Sequence, residues 1–342
     1  MPGLAIDCHG HFTTEPPEFE AFRSAQLAFA DRRGKRLPTA PTVGDSALAQ
    51  IVSENQLRLQ QERGLDFTLL SPRASAMGHH VANLDLALGW ARFSNDTVLR
   101  IAQLFPRNFA AVCQLPQTVM GGIEPLVNEL RRCVEAGAVG CNINPDPSGG
   151  RWVTRPLHDP WWDPLWEAMI ELSVPGMIHA SASCDPAVHT TGAHYIAADT
   201  IAFMQLVEGD LFERYEALML VIPHGGGAAP FHWGRYRGLA LMLGKPPLDL
   251  HVMRNVSFDT CVYHQAGIDL LVRIVDPGSL LFGSEQLGAV RGPDPETGQE
   301  FDDTKRYIDA ADLEEHARHK ILEGNARRVY PRLDALLSGQ GR

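Results

Sequence analysis

The sequence predicts an α/β protein that folds as one closed (β/α)₈ barrel, a TIM barrel, and three observations support this prediction. Eight short runs of apolar residues recur along the chain. Segments with helical periodicity separate them, an alternation typical of parallel strands joined by helices. The 342 residues suit one such barrel with insertions, and no linker divides them, so we expect a single domain over residues 1–342.

The predicted strands are near-continuous apolar runs, as expected of parallel strands that helices cover on both faces. They span residues 4–8, 67–71, 109–115, 139–144, 176–180, 219–223, 256–260 and 280–283. Helical segments between them include residues 123–136, 162–172 and 199–208. The first connection, about 60 residues, is longer than an ordinary loop, so we expect loop and helix insertions over the C-terminal face of the barrel. The charged and apolar residues of 312–337 alternate at helical spacing, which predicts helices packed on the barrel exterior.

Composition and charge narrow the classes of protein. The formal net charge of −11, with no basic stripe, argues against binding to nucleic acid or to a membrane surface. Neither a signal peptide nor an apolar run long enough to span a bilayer is visible. Six scattered cysteines without CxxC spacing indicate free thiols, and we expect a cytoplasmic protein. An acidic chain that binds an anion must supply positive charge locally, through a metal ion or a few arginines.

Histidines and one carboxylate follow four of the predicted strands, at the end where such barrels carry their active sites. They are His9 and His11 after the first strand, His179 at the end of the fifth, His224 after the sixth and Glu285 after the eighth. Two imidazoles two residues apart on extended backbone point to the same side and can bind one ion. Taken alone, that pair fits two surface histidines equally well. The whole set predicts a metal site.

Three histidines and a carboxylate suit one divalent ion per chain: Zn²⁺, with Mn²⁺ or Fe²⁺ as alternatives. Such an ion can acidify a bound water or polarise a carbonyl group. A carboxylate ligand can also accept the proton from that water.

Other polar residues near strand ends indicate how a substrate would be held. Asn144 ends the fourth predicted strand, and four others follow strands: Arg73, Ser75, Tyr195 and Arg291. An arginine at a barrel mouth is typical of a site for a carboxylate or phosphate, which its guanidinium matches bidentately. Each arginine could equally bridge loop carbonyls or an acidic neighbour. We therefore expect a small di- or tricarboxylate as substrate, with Arg73 and Arg291 as cationic groups and Ser75 and Asn144 as donors.

Several strand-end motifs resemble those of the amidohydrolase-related family that includes aminocarboxymuconate semialdehyde decarboxylase. The motifs are Ile6-Asp7-Cys8-His9-Gly10-His11, Ile178-His179, Pro223-His224-Gly225-Gly226, Phe282-Gly283-Ser284-Glu285 and Gly324-Asn325-Ala326-Arg327-Arg328. Most members of that family carry Asp after the last strand, and Glu285 departs from this pattern. A closer resemblance, including this glutamate, is to a hydratase branch that serves protocatechuate and gallate 4,5-cleavage. It covers essentially the whole chain, in residues 7–14, 55–77, 140–147, 197–205, 222–227, 258–263, 282–291 and 301–310.

This resemblance implies a Zn²⁺ site of His9, His11, His179 and Glu285. The implied reaction is hydration of the carbon–carbon double bond of 4-oxalomesaconate to 4-carboxy-4-hydroxy-2-oxoadipate. Zn²⁺ would activate the water and Glu285 would accept its proton. His224 and Tyr195 match positions near the reacting carbon, and which of them is the acid stays open. Family members commonly form dimers or larger assemblies, so we expect a homo-oligomer.

Three other functions stay open at this point. A metal-dependent nonoxidative decarboxylase would share the barrel, the metal site and His224. A lactone or amide hydrolase would use the same activated water. A protein of a different class, with a metal-stabilised barrel that binds but does not catalyse, would show no turnover.

Overall fold

A parallel eight-stranded sheet forms the centre of the computed structural model, which describes residues 3–31, 36–81 and 83–342. Each strand pairs in parallel with the next one along the chain. The strands are β1 (Ile6–Phe12), β2 (Phe67–Pro72), β3 (Phe109–Gln114), β4 (Gly140–Ile143), β5 (Gly176–Ile178), β6 (Leu220–Ile222), β7 (Val256–Asp259) and β8 (Leu280–Leu281). Each predicted strand overlaps its observed counterpart, so the predicted strand order is confirmed.

Backbone hydrogen bonds join β1 to the segment that follows β8. The Cys8 N–H donates to the Phe282 carbonyl oxygen at 2.9 Å, and the Glu285 N–H donates to the His9 carbonyl oxygen at 2.8 Å. These bonds close the sheet on itself, as a (β/α)₈ barrel requires. They also bring His9 and Glu285, which lie far apart in the sequence, into direct contact.

At least one helix lies between each pair of consecutive strands, and the helices cover the outside of the sheet. They are α1 (Pro17–Ala30), α2 (Asp45–Val52), α3 (Arg58–Glu62), α4 (Leu84–Leu104), α5 (Glu124–Glu135), α6 (Asp163–Leu172), α7 (Tyr195–Glu208), α8 (Leu211–Arg214), α9 (Trp233–Met242), α10 (Gln265–Ile274), α11 (Lys305–Ala310), α12 (Glu315–His319), α13 (Asn325–Val329) and α14 (Pro331–Gly339). The long first connection carries α1, α2 and α3. Within the described part of the chain, no helix combines the length and apolar character needed to cross a membrane.

Two apolar clusters hold the barrel together. The larger one packs the outward side chains of the strands against the surrounding helices, with Trp90, Trp162 and Phe203 among its fully buried members. The second one joins alternate strand residues, such as Leu69 and Val112, to α13 and α14.

The second cluster corrects one expectation. Helices do form within residues 312–337, but Val329 of α13 and Leu333 and Leu337 of α14 pack against inward-facing strand residues, not on the barrel exterior. Helical spacing identified their apolar face, but it does not specify which layer of the barrel that face covers.

Candidate metal centre and active site

Three imidazoles converge at the C-terminal end of the barrel. His9 and His11 lie in β1 and His179 directly follows β5, and all three are buried. The Nε2 atom of His11 lies 3.0 Å from that of His9 and 3.2 Å from that of His179. Together with a carboxylate oxygen of Glu285, the four possible ligand atoms lie within 4.8 Å of one another. Three imidazole nitrogens and a carboxylate oxygen at this spacing form a donor set that could hold a divalent ion.

The other ring nitrogen of each histidine faces an acceptor. Nδ1 of His9 lies 2.6 Å from Oδ2 of Asp259, and Nδ1 of His179 lies 2.9 Å from the Ala180 carbonyl oxygen. Nδ1 of His11 lies 2.7 Å from Oγ of Ser71, whose hydroxyl donates to the Gly10 carbonyl oxygen. An acceptor at Nδ1 places the proton there and leaves the Nε2 lone pair free for a metal ion. These residues therefore fit a bound divalent cation.

Glu285 completes the set from the segment after β8. Its backbone has a φ of +49°, a value that residues other than glycine adopt only where the surrounding structure imposes it. Oε2 accepts a 2.6 Å hydrogen bond from the Tyr263 hydroxyl. Burial alone would raise the pKa of Glu285, but the nearby histidines, His224 foremost, outweigh it and hold the pKa below its usual value. The carboxylate is thus ionised, as both a ligand and a base must be.

His224 faces this set from the end of β6. Its Nδ1 lies 2.8 Å from Oδ2 of Asp199, while its buried Nε2 has no hydrogen-bond partner and lies 4.0 Å from Oε2 of Glu285. Burial alone would lower the pKa of His224, but Asp199 outweighs it and the pKa rises to about 9. The Tyr195 ring stacks on the imidazole, with centroids 5.5 Å apart. A charged imidazole with a free N–H therefore points toward the carboxylate.

The glycines after His224 shape the loop that presents it. Gly225, Gly226 and Gly227 all have positive φ. A Cβ atom on Gly226 would lie 2.8 Å from the ring of Phe258, so only glycine lets this turn pack against β7.

The residues expected to hold the substrate divide into two groups. Arg73 is half exposed, and its Nε donates to Ser75 Oγ at 3.1 Å, while Nη1 lies 3.7 Å from Glu15. Ser75 is also hydrogen-bonded to Tyr195, which connects this pair to the centre.

Asn144 and Arg291 are engaged in loop networks instead. The Asn144 amide nitrogen lies 3.0 Å from Ser181 Oγ and 2.9 Å from Nδ1 of His79, and its oxygen accepts from the Asp146 N–H. Arg291 is exposed and donates to the carbonyl oxygens of Leu287 and Gly288. Arg291 therefore bridges loop carbonyl oxygens, which is the alternative that the sequence left open for each arginine.

A cleft of about 800 Å³ opens from His224 and Glu285 to the surface. Tyr263 and Cys261 line it beside Glu285, and its outer walls are largely apolar, with Ile196, Phe231, Val262, Leu270 and Val290 among them. Such a cleft can admit a small molecule to the carboxylate and to the imidazole.

Sequence reasoning missed four residues that orient the site: Ser71, Asp199, Asp259 and Tyr263. Asp259 ends β7 and Ser71 lies near the end of β2, so the strand-end rule that found the ligands could also have found these two. Asp199 lies within α7 and Tyr263 in the loop after β7, where no sequence signal marks them.

A barrel whose strand ends bring three histidines and a glutamate to one point defines a candidate metal centre of the amidohydrolase type. The chain belongs to the amidohydrolase family, which it matches over residues 6–332.

Relatives with stated activities include hydratases and decarboxylases. The chain is 54% identical over 339 residues to the 2-keto-4-carboxy-3-hexenedioate hydratase of Sphingobium sp., covering 99% of each chain. The crystal structure of 4-oxalomesaconate hydratase from Rhodopseudomonas palustris superposes with a TM-score of 0.91 at 47% identity, again covering 99% of each chain. The gamma-resorcylate decarboxylase of Polaromonas sp. is 28% identical over 196 residues, which are 54% of this chain and 59% of the relative. The expected hydratase resemblance is confirmed.

Proposed function

We propose that this chain is a hydratase that acts on 4-oxalomesaconate in the form of its conjugated isomer, 2-keto-4-carboxy-3-hexenedioate, and adds water to the carbon–carbon double bond to yield 4-carboxy-4-hydroxy-2-oxoadipate. The observation that carries this proposal is the placement of Glu285 Oε2 and His224 Nε2, 4.0 Å apart beside three converging imidazoles. Hydration needs one group to take a proton from water and another to deliver one to carbon, and this pair supplies both. The full-length similarity to hydratases supports the same reaction.

The two substrate names carried by the relatives describe isomers that differ in the position of the double bond. In 2-keto-4-carboxy-3-hexenedioate the double bond is conjugated with the keto group, and in 4-oxalomesaconate it is not. Addition of hydroxyl to C4 of the conjugated form moves the double-bond electrons through C3 to the keto oxygen, and a proton then adds to C3. We therefore assign the conjugated form as the one that reacts, because the keto group can hold the developing charge.

Each site residue has a role in this scheme. A divalent ion in the His9, His11, His179 and Glu285 set, which we take to be Zn²⁺, would acidify water and stabilise developing negative charge. Glu285 is placed to take a proton from the attacking water.

His224 and Tyr195 serve the other side of the double bond. His224, held by Asp199, is the acid that protonates C3. Burial raises the pKa of Tyr195, so its hydroxyl keeps its proton and can hydrogen-bond the enolate oxygen. Arg73 and Ser75, which adjoin Tyr195, are the groups of this chain that we assign to a substrate carboxylate.

A test incubates the zinc-loaded protein with freshly generated substrate and identifies the product by NMR. We expect the hydroxy acid, and we expect Glu285→Gln and His224→Asn each to lower turnover by about 10²- to 10⁴-fold. Arg235→Gln, a change in the exposed face of α9, is the control and should leave turnover unchanged. Release of CO₂ without the hydroxy acid would replace the proposal with the decarboxylase that the sequence left open.

A further inference from the structure

The loop after β7 supplies no metal ligand, yet it contacts the ligand set at several points. Asp259, the last residue of β7, contacts His9, while Cys261 and Tyr263 of the loop both approach Oε2 of Glu285, at 3.6 Å from Sγ and 2.6 Å from the hydroxyl oxygen. Among the described residues, every hydrogen bond to the Glu285 side chain ends on this one oxygen.

The Tyr263 hydroxyl is held in place before any substrate binds. The backbone carbonyl oxygen of Tyr263 accepts a 3.1 Å hydrogen bond from the Tyr307 hydroxyl, and turns at Val262 and His264 fix the chain on both sides. The Tyr263 hydroxyl lies 2.6 Å from a carboxylate oxygen, which can only accept, so the hydroxyl donates. A donor fixed by its own backbone contacts is preorganised and costs no reordering during the reaction.

A carboxylate at the end of a glutamate side chain is reached through three torsions, which must be fixed before it can act as a ligand or a base. The hydrogen bond from Tyr263 occupies Oε2 and thereby selects one orientation of the group. Without this hydrogen bond, the Glu285 carboxylate could rotate toward His224 or into the cleft. It would then spend part of the time away from the three histidines with which it forms the ligand set.

We propose that Tyr263 is a positioning residue for the hydration, acting through the hydrogen bond that fixes the Glu285 carboxylate. This inference rests on the proposed function only for the turnover measurement, because the placement of Glu285 also determines how tightly the site binds zinc. Groups that orient a metal ligand typically change metal affinity or activity by about 10- to 100-fold.

The test is a double-mutant cycle of Tyr263→Phe and Glu285→Gln, with zinc dissociation constants measured by chelator competition and with kcat and KM measured at saturating zinc. In the native background, we expect Tyr263→Phe to weaken zinc binding and to lower kcat by about 10-fold each, with KM changed less than about twofold. In the Glu285→Gln background the same change should have no further effect, because the group it positions is gone. Tyr236→Phe removes another buried tyrosine hydroxyl, on α9, and should change neither quantity.

Equal losses in both backgrounds would overturn the proposal, since Tyr263 would then act on the substrate or on the fold. Unchanged zinc affinity and kcat in Tyr263→Phe would overturn it as well. If that variant does not fold, as judged by circular dichroism, Tyr307→Phe provides a second arm. It removes the hydrogen bond to the Tyr263 carbonyl oxygen, leaves Glu285 itself intact and should weaken zinc binding in the same direction, and unchanged zinc affinity in it would overturn the proposal. Zinc binding needs no substrate, so a failure of the proposed reaction leaves this test intact.

Discussion

Asp259→Asn should weaken metal binding even though Asp259 is not a ligand. Oδ2 accepts from Nδ1 of His9 at 2.6 Å, and Oδ1 accepts from the backbone N–H groups of Gly225 at 3.1 Å and Cys261 at 3.0 Å. All three partners are donors and the carboxylate is fully buried, so an asparagine must turn its NH₂ group toward at least one of them.

The structure indicates which way the amide turns. Facing the backbone would leave two buried N–H groups unsatisfied, at about 1–3 kcal/mol each. Facing His9 costs a single mismatch, which a change of tautomer relieves by moving the imidazole proton from Nδ1 to Nε2. Nε2 is the atom that must face the metal ion. We therefore expect the zinc dissociation constant to rise by about 10- to 100-fold, or about 1.4–2.7 kcal/mol.

Competition with a chromophoric chelator measures this change directly. Asp199→Asn is the matched control, because it alters an equally buried carboxylate on the Nδ1 of His224, an imidazole outside the ligand set. It should leave zinc affinity within about twofold while lowering turnover by about 10²- to 10⁴-fold. Native zinc affinity in Asp259→Asn, or equal weakening in both variants, would refute the reasoning.

Three further predictions concern stability. Gly226→Ala should lower the free energy of unfolding by about 1–2 kcal/mol because of its φ of +78°, and the clash of the new methyl group with Phe258 should lower it further. Gly234→Ala, at a position with open space around it, is the control and should not lower the free energy of unfolding. Thermal unfolding compares the two variants, and equal midpoints would contradict the prediction. Leu333→Ala in α14, a fully buried site, should cost about 2–5 kcal/mol in denaturant titrations with kcat per folded molecule unchanged, and a loss of kcat would show that α14 affects the active site. Removing the metal with a chelator should lower the unfolding midpoint, because an ion at 100 times its dissociation constant stabilises the fold by about 2.7 kcal/mol; a midpoint that zinc does not restore would argue against a native site.

The barrel and its ligands were predictable because they depend on local patterns. Each strand is an apolar run, and the candidate ligands lie in or just after strands, so reading the strand ends of the predicted barrel in order located His179 and Glu285. Contacts between distant elements were not predictable in this way. Asp199 reaches His224 across 25 residues from within a helix, and the loop carbonyls that hold Arg291 give no sequence signal at all.

Closure of the barrel between β1 and the segment after β8 has a consequence for folding. Asp7 and Ser284 are separated by 277 residues and are joined by two hydrogen bonds, from the Ser284 N–H to Oδ1 of Asp7 and from the Ser284 hydroxyl to Oδ2. Contacts of such sequence separation form late, because a long loop must close before they stabilise anything. The ligands from β1 and Glu285 meet only when this ring is complete, so ion binding and ring opening are thermodynamically linked. A population with the β1–β8 seam open should release its ion, and ion release measured in native conditions should therefore report how often the seam opens.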